Sequence, residues 1–224
     1  MLSTDEKKSY FDQYWRQQPV ETADPRAVQR AEAVFGLMRK REGRLLEVGC
    51  GRGVVLDFFA RRGFDVTGSD ISPEAVALVD RKGYSSFVHD LEADDILDRY
   101  EIILCLEVLQ QVHNPVAVLE KLKGALSDNG EMIVSLPNEF HLVSRLRVLT
   151  GSSHLGHFEH SHIRLFTPNR DRRLFAQAGL EIEEMVYLSI VPPRMKTPER
   201  LCRPLCAWWP ALFALSSVYR VREK

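Results

Sequence analysis

Glu47-Val48-Gly49-Cys50-Gly51-Arg52-Gly53 is the stretch whose residue types and spacing most directly suggest chemistry. Glycines let a chain turn tightly and let a ligand lie against its backbone. The loop follows a strand-like run, RLLEV at 44–48, and precedes an amphipathic run at 54–62. An acid, Asp70, ends the next strand-like run, where a carboxylate is placed to hold a ribose diol. The dinucleotide fingerprint G-x-G-x-x-G is not met, because the third glycine comes one residue early, at Gly53, and position 54 is Val. The phosphate-binding GK[ST] is absent as well. Glu47, two residues before the first glycine, suits a ligand carrying an ammonium or sulfonium charge better than a pyrophosphate. The competing reading is a glycine turn that serves packing alone.

A second constellation is rich in histidine. His154, His157, His160 and His162 fall close together, with Glu159 among them. Three readings stand open. His160 or His162 can deprotonate a hydroxyl, since imidazole titrates near neutral pH. The spacing can also present two or three metal ligands, although no cysteine pair joins them, so no metal is assigned. The third reading is a loop without chemistry.

These groups need elements to position them. Strands are expected at Arg44–Val48, Phe64–Ser69, Tyr84–Val88, Tyr100–Leu104 and Glu131–Leu136, separated by helices at Val54–Arg62, Ser72–Lys82 and Asn114–Leu126. Ser72-Pro73 and Asn114-Pro115 are cap-then-proline helix starts. Asp128-Asn129-Gly130 reads as a turn. Strands alternating with helices imply βαβ units and a buried parallel sheet. Beyond Pro137 the pattern reads as a helix at 138–150, a His-rich loop at 151–164, a helix at 168–178, a strand at 180–190, an irregular proline-rich stretch at 191–210 and a closing strand at 212–222.

Composition narrows the classes. Thirty Lys and Arg against thirty-one Asp and Glu leave a net charge of −1, which disfavours a general nucleic-acid binder. The charged N-terminus lacks the apolar core of a signal peptide, and no 18-residue run is apolar enough to span a bilayer. Four cysteines without an export signal read as reduced thiols, so a cytoplasmic protein is expected.

LLEVGCGRG (45–53), VTGSDISPEAV (66–76), FVHDLE (87–92), YEIILCLEVLQQVHNP (100–115) and GEMIVSLPN (130–138) resemble the successive motifs of class I S-adenosylmethionine-dependent methyltransferases. HIRLFT (162–167) and LFAQAGLEI (174–182) resemble that family's approach to its sixth strand. Within it, LQQVHNPVAVLEKL and IVSLPN look most like the methionine biosynthesis protein W group, close to the methyltransferase type 11 and 12 domains. The resemblance implies an α/β, Rossmann-like, doubly wound sheet of seven mostly parallel strands with an antiparallel last strand, and S-adenosylmethionine as cofactor. It implies that Gly49, Gly51 and the neighbouring Cys50 and Gly53 face the cofactor's methionine part, and that Glu47 orients the loop or meets the cofactor's amino group through water. It implies that Asp70 takes the ribose hydroxyls, Ile71 and Leu91 pack on adenine, Asp90 accepts from the adenine amino group, and Leu106 and Glu107 lie beside the methyl group. Asp90 also reads as a cap and Glu107 as a solvated helix-start charge. Many relatives carry a Glu-His pair where this chain has Gln110-Gln111.

Two parts are expected: a helical lead-in or lid at 1–43, and a methyltransferase domain at 44–224 with insertions at about 138–166 and 191–211. Tyr10, Phe11, Tyr14 and Trp15 suit a lid or a docked aromatic helix. The apolar 201–213 segment, with Trp208 and Trp209, suits a membrane surface, an acceptor pocket cover or a protein contact. Cys202 and Cys206 lack the second pair that a zinc site needs. The reading is methyl transfer to an O or N atom of a small-molecule acceptor, lipid-linked and sugar acceptors included, with His162, His160 and Glu107 as catalytic candidates. Nothing matches the tetrapeptide of amino-methylating DNA enzymes or the Pro-Cys of cytosine C5 enzymes. The alternatives are a non-catalytic cofactor-binding partner of a homoserine acyltransferase and an NAD-dependent enzyme, the latter opposed by the early third glycine.

Overall fold

A computed structural model of the chain describes residues 4–17, 24–151, 162–192, 195, 202 and 204–224. Seven strands form one sheet: β1 (Arg44–Val48), β2 (Asp65–Asp70), β3 (Ser85–Val88), β4 (Tyr100–Leu106), β5 (Leu126–Pro137), β6 (Leu180–Ser189) and β7 (Ala214–Glu223). Their order is β3-β2-β1-β4-β5-β7-β6, parallel except that β7 runs antiparallel to both β5 and β6. This is the sheet expected from the sequence, with its antiparallel last strand.

Alternation along the central strands explains why helices cover both faces. Ile102 and Leu104 of β4 point to one side, where they meet Leu45, Ile133 and Val218. Covering that face are α2 (Pro25–Leu37), through Ala27, Ala31 and Val34, and α3 (Val54–Ala60), through Val55, Leu56 and Phe59. Ile103 and Cys105 point the other way, to α5 (Pro115–Gly124) and α7 (Pro168–Gln177). Strands buried on both faces read as unbroken apolar runs, as β4 does. The remaining helices are α1 (Thr4–Gln17), α4 (Pro73–Asp80) and α6 (Leu142–Leu149).

Caps set the helix starts. Ser72 Oγ accepts from Ala75 N at 3.2 Å and opens α4; Asn114 Oδ1 accepts from Ala117 N at 3.2 Å and opens α5. The helix expected at 138–150 begins only at Leu142. Asn138 is spent elsewhere, donating through Nδ2 to the Ala214 carbonyl at 2.8 Å, and His141 caps the helix instead. The expected Asp128–Gly130 turn is present as a bulge inside a longer β5. Tyr100 pairs with Leu126 and Ile102 with Glu131, so the intervening residues loop out, with Asn129 at φ 59°. In the stretch expected to be irregular, residues 202 and 204–208 are helical, and a helical turn at Pro210–Phe213 delays β7 to Ala214. All four cysteines are free and buried. Among the described residues, no helix is long and apolar enough to cross a membrane.

Candidate active site

The carboxyl ends of β1, β2 and β4 open onto a cleft of about 360 Å³, at the edge where parallel sheets bind ligands. Gly49 directly follows β1 with φ +67°, and a Cβ there would sit 2.5 Å from Val108 Cγ2. The chain can make this turn only without a side chain. Gly51, at φ +50°, is covered by the Trp15 ring, 2.5 Å from where its Cβ would be.

Asp70 ends β2 and is the hub of the loop. Its Oδ2 accepts from Gly51 N and its Oδ1 from Ser72 N, each at 3.0 Å. Burial pushes its carboxyl up to about 6, against the pull of those two N–H groups, while the charge of Asp12 adds to the rise. Glu47 lies beneath the loop, and burial raises its carboxyl well above the usual range despite nearby Arg30. Its Oε2 has no hydrogen-bond partner.

Asp90 serves two purposes. Oδ1 accepts from Glu92 N at 2.9 Å, closing a turn, and Oδ2 accepts from the Thr4 hydroxyl at 2.8 Å. Asp90 therefore closes a turn rather than capping a helix, and it also lines the cleft. His89 is buried beside it and lines the cleft, with neither ring nitrogen hydrogen-bonded.

α1 forms the roof. It has no buried residue and rests on polar and aromatic contacts. Thr4 meets Asp90, Lys7 pairs with Glu92, Asp12 accepts from Glu74 N at 3.2 Å and from the Ser72 hydroxyl, and Trp15 lies on Gly51. Burial raises the Glu92 carboxyl, but Lys7, His113 and Asn114 N outweigh it and bring it down to about 2.

Glu107 directly follows β4 and lies in the left-handed region, φ 58°, a strained state for a non-glycine residue. Its N–H donates to Ser135, and its Oε1 accepts from Ser135 Oγ at 2.8 Å and faces Arg30 Nε at 3.6 Å. Across the cleft wall, His162 Nδ1 lies 2.9 Å from Glu139 Oε1, and His162 Nε2 lies 3.5 Å from Gln110 Nε2. Gln110 is oriented by donating to the Glu107 carbonyl at 2.7 Å.

Of the sequence-derived candidates, Gly49, Asp70, Ile71, Asp90, Leu91, Leu106, Glu107 and His162 come together on this cleft. Glu47, Cys50, Gly51 and Gly53 are not among its lining residues. Cys50 turns inward instead, its Sγ 2.8 Å from where a Cβ on Gly68 would lie, so its thiol packs between strands. Gly53 provides the left-handed start of α3. His160, with His154, His157 and Glu159, lies outside the described residues. Among the described residues, no group of three His, Cys, Asp or Glu could hold a metal ion.

Arg30, Lys7, His89 and Glu139 also contribute to the site, and sequence reasoning does not single them out. His89 lies inside FVHDLE without being singled out by it; Arg30, Lys7 and Glu139 belong to no local motif, and each reaches the site across the fold.

A family model described as a methyltransferase domain matches residues 14–185. A ubiquinone biosynthesis O-methyltransferase of Aeromonas salmonicida is 26% identical over 161 residues, which are 66% of this chain and 67% of that protein. One from Cupriavidus pinatubonensis is 24% identical over 186 residues, 78% of this chain and 73% of its own. Among solved structures, magnesium protoporphyrin IX methyltransferase from Synechocystis PCC 6803, with bound SAH, superposes at TM-score 0.67 with 15% identity, covering 99% of this chain and 100% of that one. A possible histamine N-methyltransferase of Thermotoga maritima superposes at 0.66 with 17% identity, covering 97% of each chain. These likenesses establish the fold. The relatives carry the ubiquinone name, which corrects the grouping with methionine biosynthesis protein W, and the non-catalytic alternative tied to that grouping gains no support.

Proposed function

As a member of the methyltransferase-domain family, the chain is an S-adenosylmethionine-dependent methyltransferase, and we propose that it methylates a hydroxyl oxygen of a small-molecule acceptor, with His162 as the base. The cleft suits the cofactor. A turn that only glycine can make lets a ligand approach the backbone at Gly49, and the two carboxylates Asp70 and Asp90 stand between the apolar side chains of Ile71, Leu91 and Leu106. Glu47 Oε2 is buried without a hydrogen-bond partner, and Glu47 backs the loop rather than lining the cleft. When bound, the cofactor supplies a methyl group already activated on a positively charged sulfur.

The chain's own residues then have four tasks. Asp70 and Asp90 hold the nucleoside, and the α1 roof, with Trp15 over Gly51, excludes water. Glu107, fixed by Ser135 and Arg30, sets the end of β4 beside the acceptor. His162 Nε2 would take the hydroxyl proton, leaving the oxygen able to accept the methyl group that the cofactor supplies. Alignment of oxygen, carbon and sulfur supplies most of the acceleration, about 7–11 kcal/mol in well-oriented systems.

One observation carries the choice of oxygen over nitrogen. A histidine held by a carboxylate at 2.9 Å lines the cleft, and a neutral amine acceptor needs no such base. The names of the relatives support the same choice. We further propose that His160 assists from the same segment, and that the exposed Trp208 and Trp209 provide an apolar contact for a membrane surface or partner.

The test is His162→Gln. With catechol as acceptor, turnover falls about 100-fold or more while the affinity for S-adenosylmethionine stays within two-fold. Full turnover in the variant would overturn the base assignment. Methylation of aniline but not of catechol by the wild type would overturn the choice of oxygen.

A further inference from the structure

We propose that Glu139 is the positioning residue of this reaction, acting through His162; the inference rests on His162 being the base. Glu139 directly follows Pro137-Asn138 at the end of β5, a rigid part of the sheet. Asn138 N donates to the Leu215 carbonyl at 2.8 Å and its Nδ2 to the Ala214 carbonyl at 2.8 Å, while Glu139 N reaches the Phe166 carbonyl at 3.4 Å. The carboxylate is thus built on a fixed platform, well separated in sequence from the histidine it meets.

The histidine is fixed from the other side. Ile163 N and Arg164 N both donate to the Gln110 carbonyl, at 2.9 and 3.0 Å, so the segment that carries His162 is tied to the turn after β4. The Glu139 and His162 side chains are 6% and 9% exposed. A carboxylate taken out of water this far is costly, and burying it solely to pack against an imidazole is a poor trade against an apolar pair of similar size. The pair has another consequence, which is chemical.

A carboxylate oxygen 2.9 Å from Nδ1 can only accept, so Nδ1 must carry the hydrogen. The neutral ring then has its lone pair on Nε2. The Gln110 amide is compatible with this. Its nitrogen is identified by its 2.7 Å bond to the Glu107 carbonyl, and that same nitrogen lies 3.5 Å from Nε2, offering hydrogen toward the lone pair. The carboxylate therefore selects the tautomer with the lone pair on Nε2, and the Gln110 amide nitrogen is compatible with it. When the proton arrives, the positive charge of the ring faces the carboxylate across a charge-assisted bond. Orientation of a histidine by a carboxylate behind it is a general device; behind a metal-ligating histidine its removal typically costs about 10- to 100-fold.

The experiment compares wild type, Glu139→Gln, Glu139→Asp, His162→Gln and the Glu139→Gln/His162→Gln double variant. Nitrogen-15 NMR of the His162 ring in the protein alone, at neutral pH, reports the tautomer without any acceptor. The wild type is expected to show hydrogen on Nδ1 and none on Nε2. Glu139→Gln, whose amide can donate as well as accept, is expected to populate both tautomers. Glu139→Asp retains the acceptor-only group and keeps the wild-type tautomer, which guards against a Gln variant that fails to fold. With catechol, Glu139→Gln lowers kcat about 10- to 100-fold and leaves the KM for S-adenosylmethionine within two-fold. The double variant is no slower than His162→Gln alone, because the carboxylate acts only through the ring.

An unchanged tautomer in Glu139→Gln would overturn the proposal. So would wild-type kcat in that variant while His162→Gln is inactive, or a double variant whose losses multiply. Full activity in His162→Gln is a different failure: it removes the base assignment, and the positioning role with it.

Discussion

Lowering the pH from 7 to 5 should weaken cofactor binding about ten-fold, and Asp70 should account for nearly all of that loss. The carboxyl is buried at the end of β2 and its pKa is raised from the usual 3.8 to about 6. Two N–H groups, Gly51 and Ser72, already favour the carboxylate form, but the loss of hydration outweighs them. Because the folded-state value is above the unfolded one, the group's contribution to stability is fully present below about pH 4 and is lost as pH rises through about 6. At neutral pH this burial penalty is roughly 3 kcal/mol, about two pKa units at 1.36 kcal/mol each. Ribose hydroxyls donate to the ionised form, so the ligand must draw on the carboxylate population alone. With half of the groups protonated near pH 6 and about nine-tenths at pH 5, the apparent Kd rises about ten-fold between pH 7 and pH 5. The assay is titration calorimetry of S-adenosylhomocysteine at pH 5, 6 and 7, with circular dichroism to show that the fold persists. In Asp70→Asn the affinity is weaker at pH 7 and flat across the range. A wild-type affinity independent of pH, or an equal slope in Asp70→Asn, would refute the reasoning and transfer the titration to another acid, such as Glu47.

Other predictions concern the roof and the core. Gly51→Ala places a methyl group against the Trp15 ring in a left-handed backbone state. It should weaken cofactor binding by about 1–2 kcal/mol and shift Trp15 fluorescence, and Trp15→Ala in the same chain should recover part of the loss. Phe59→Ala removes a fully buried ring between α3 and the sheet. It should lower unfolding stability by about 3–5 kcal/mol in urea titrations, with cofactor affinity per folded molecule unchanged.

How far the sequence leads depends on whether the signal is local. The glycine loop, the acid at the end of β2 and the cap-proline helix starts at Ser72 and Asn114 are each written in consecutive residues, so their elements and roles in the fold are legible. The start of α6 is not. Asn138 looks like an ordinary helix-start residue, and only the return of residues 210–214 to its amide shows why the helix waits until Leu142. The Asp128–Gly130 turn is legible as an interruption of the chain's course, but the pairing on either side that makes it a bulge depends on the neighbouring strand. Glu139 and Arg30 cannot be singled out from the sequence. One is an acid after a proline-asparagine pair and the other an arginine on an amphipathic helix. Each gains meaning only from a partner far along the chain that the fold brings close, His162 for Glu139 and Glu107 for Arg30. His162 is readable as a candidate base because imidazole chemistry is intrinsic, but its tautomer depends on that distant carboxylate.

The most direct test of the central reading is the fate of the methyl group itself. Purified protein would be incubated with methyl-deuterated S-adenosylmethionine and catechol, and the products resolved by mass spectrometry and NMR. The account predicts a deuterated methyl ether on a catechol oxygen, formed in step with S-adenosylhomocysteine and nearly abolished in His162→Gln. Label on a ring carbon, or protein that binds the cofactor through Asp70 yet transfers no label to a hydroxyl, would contradict it.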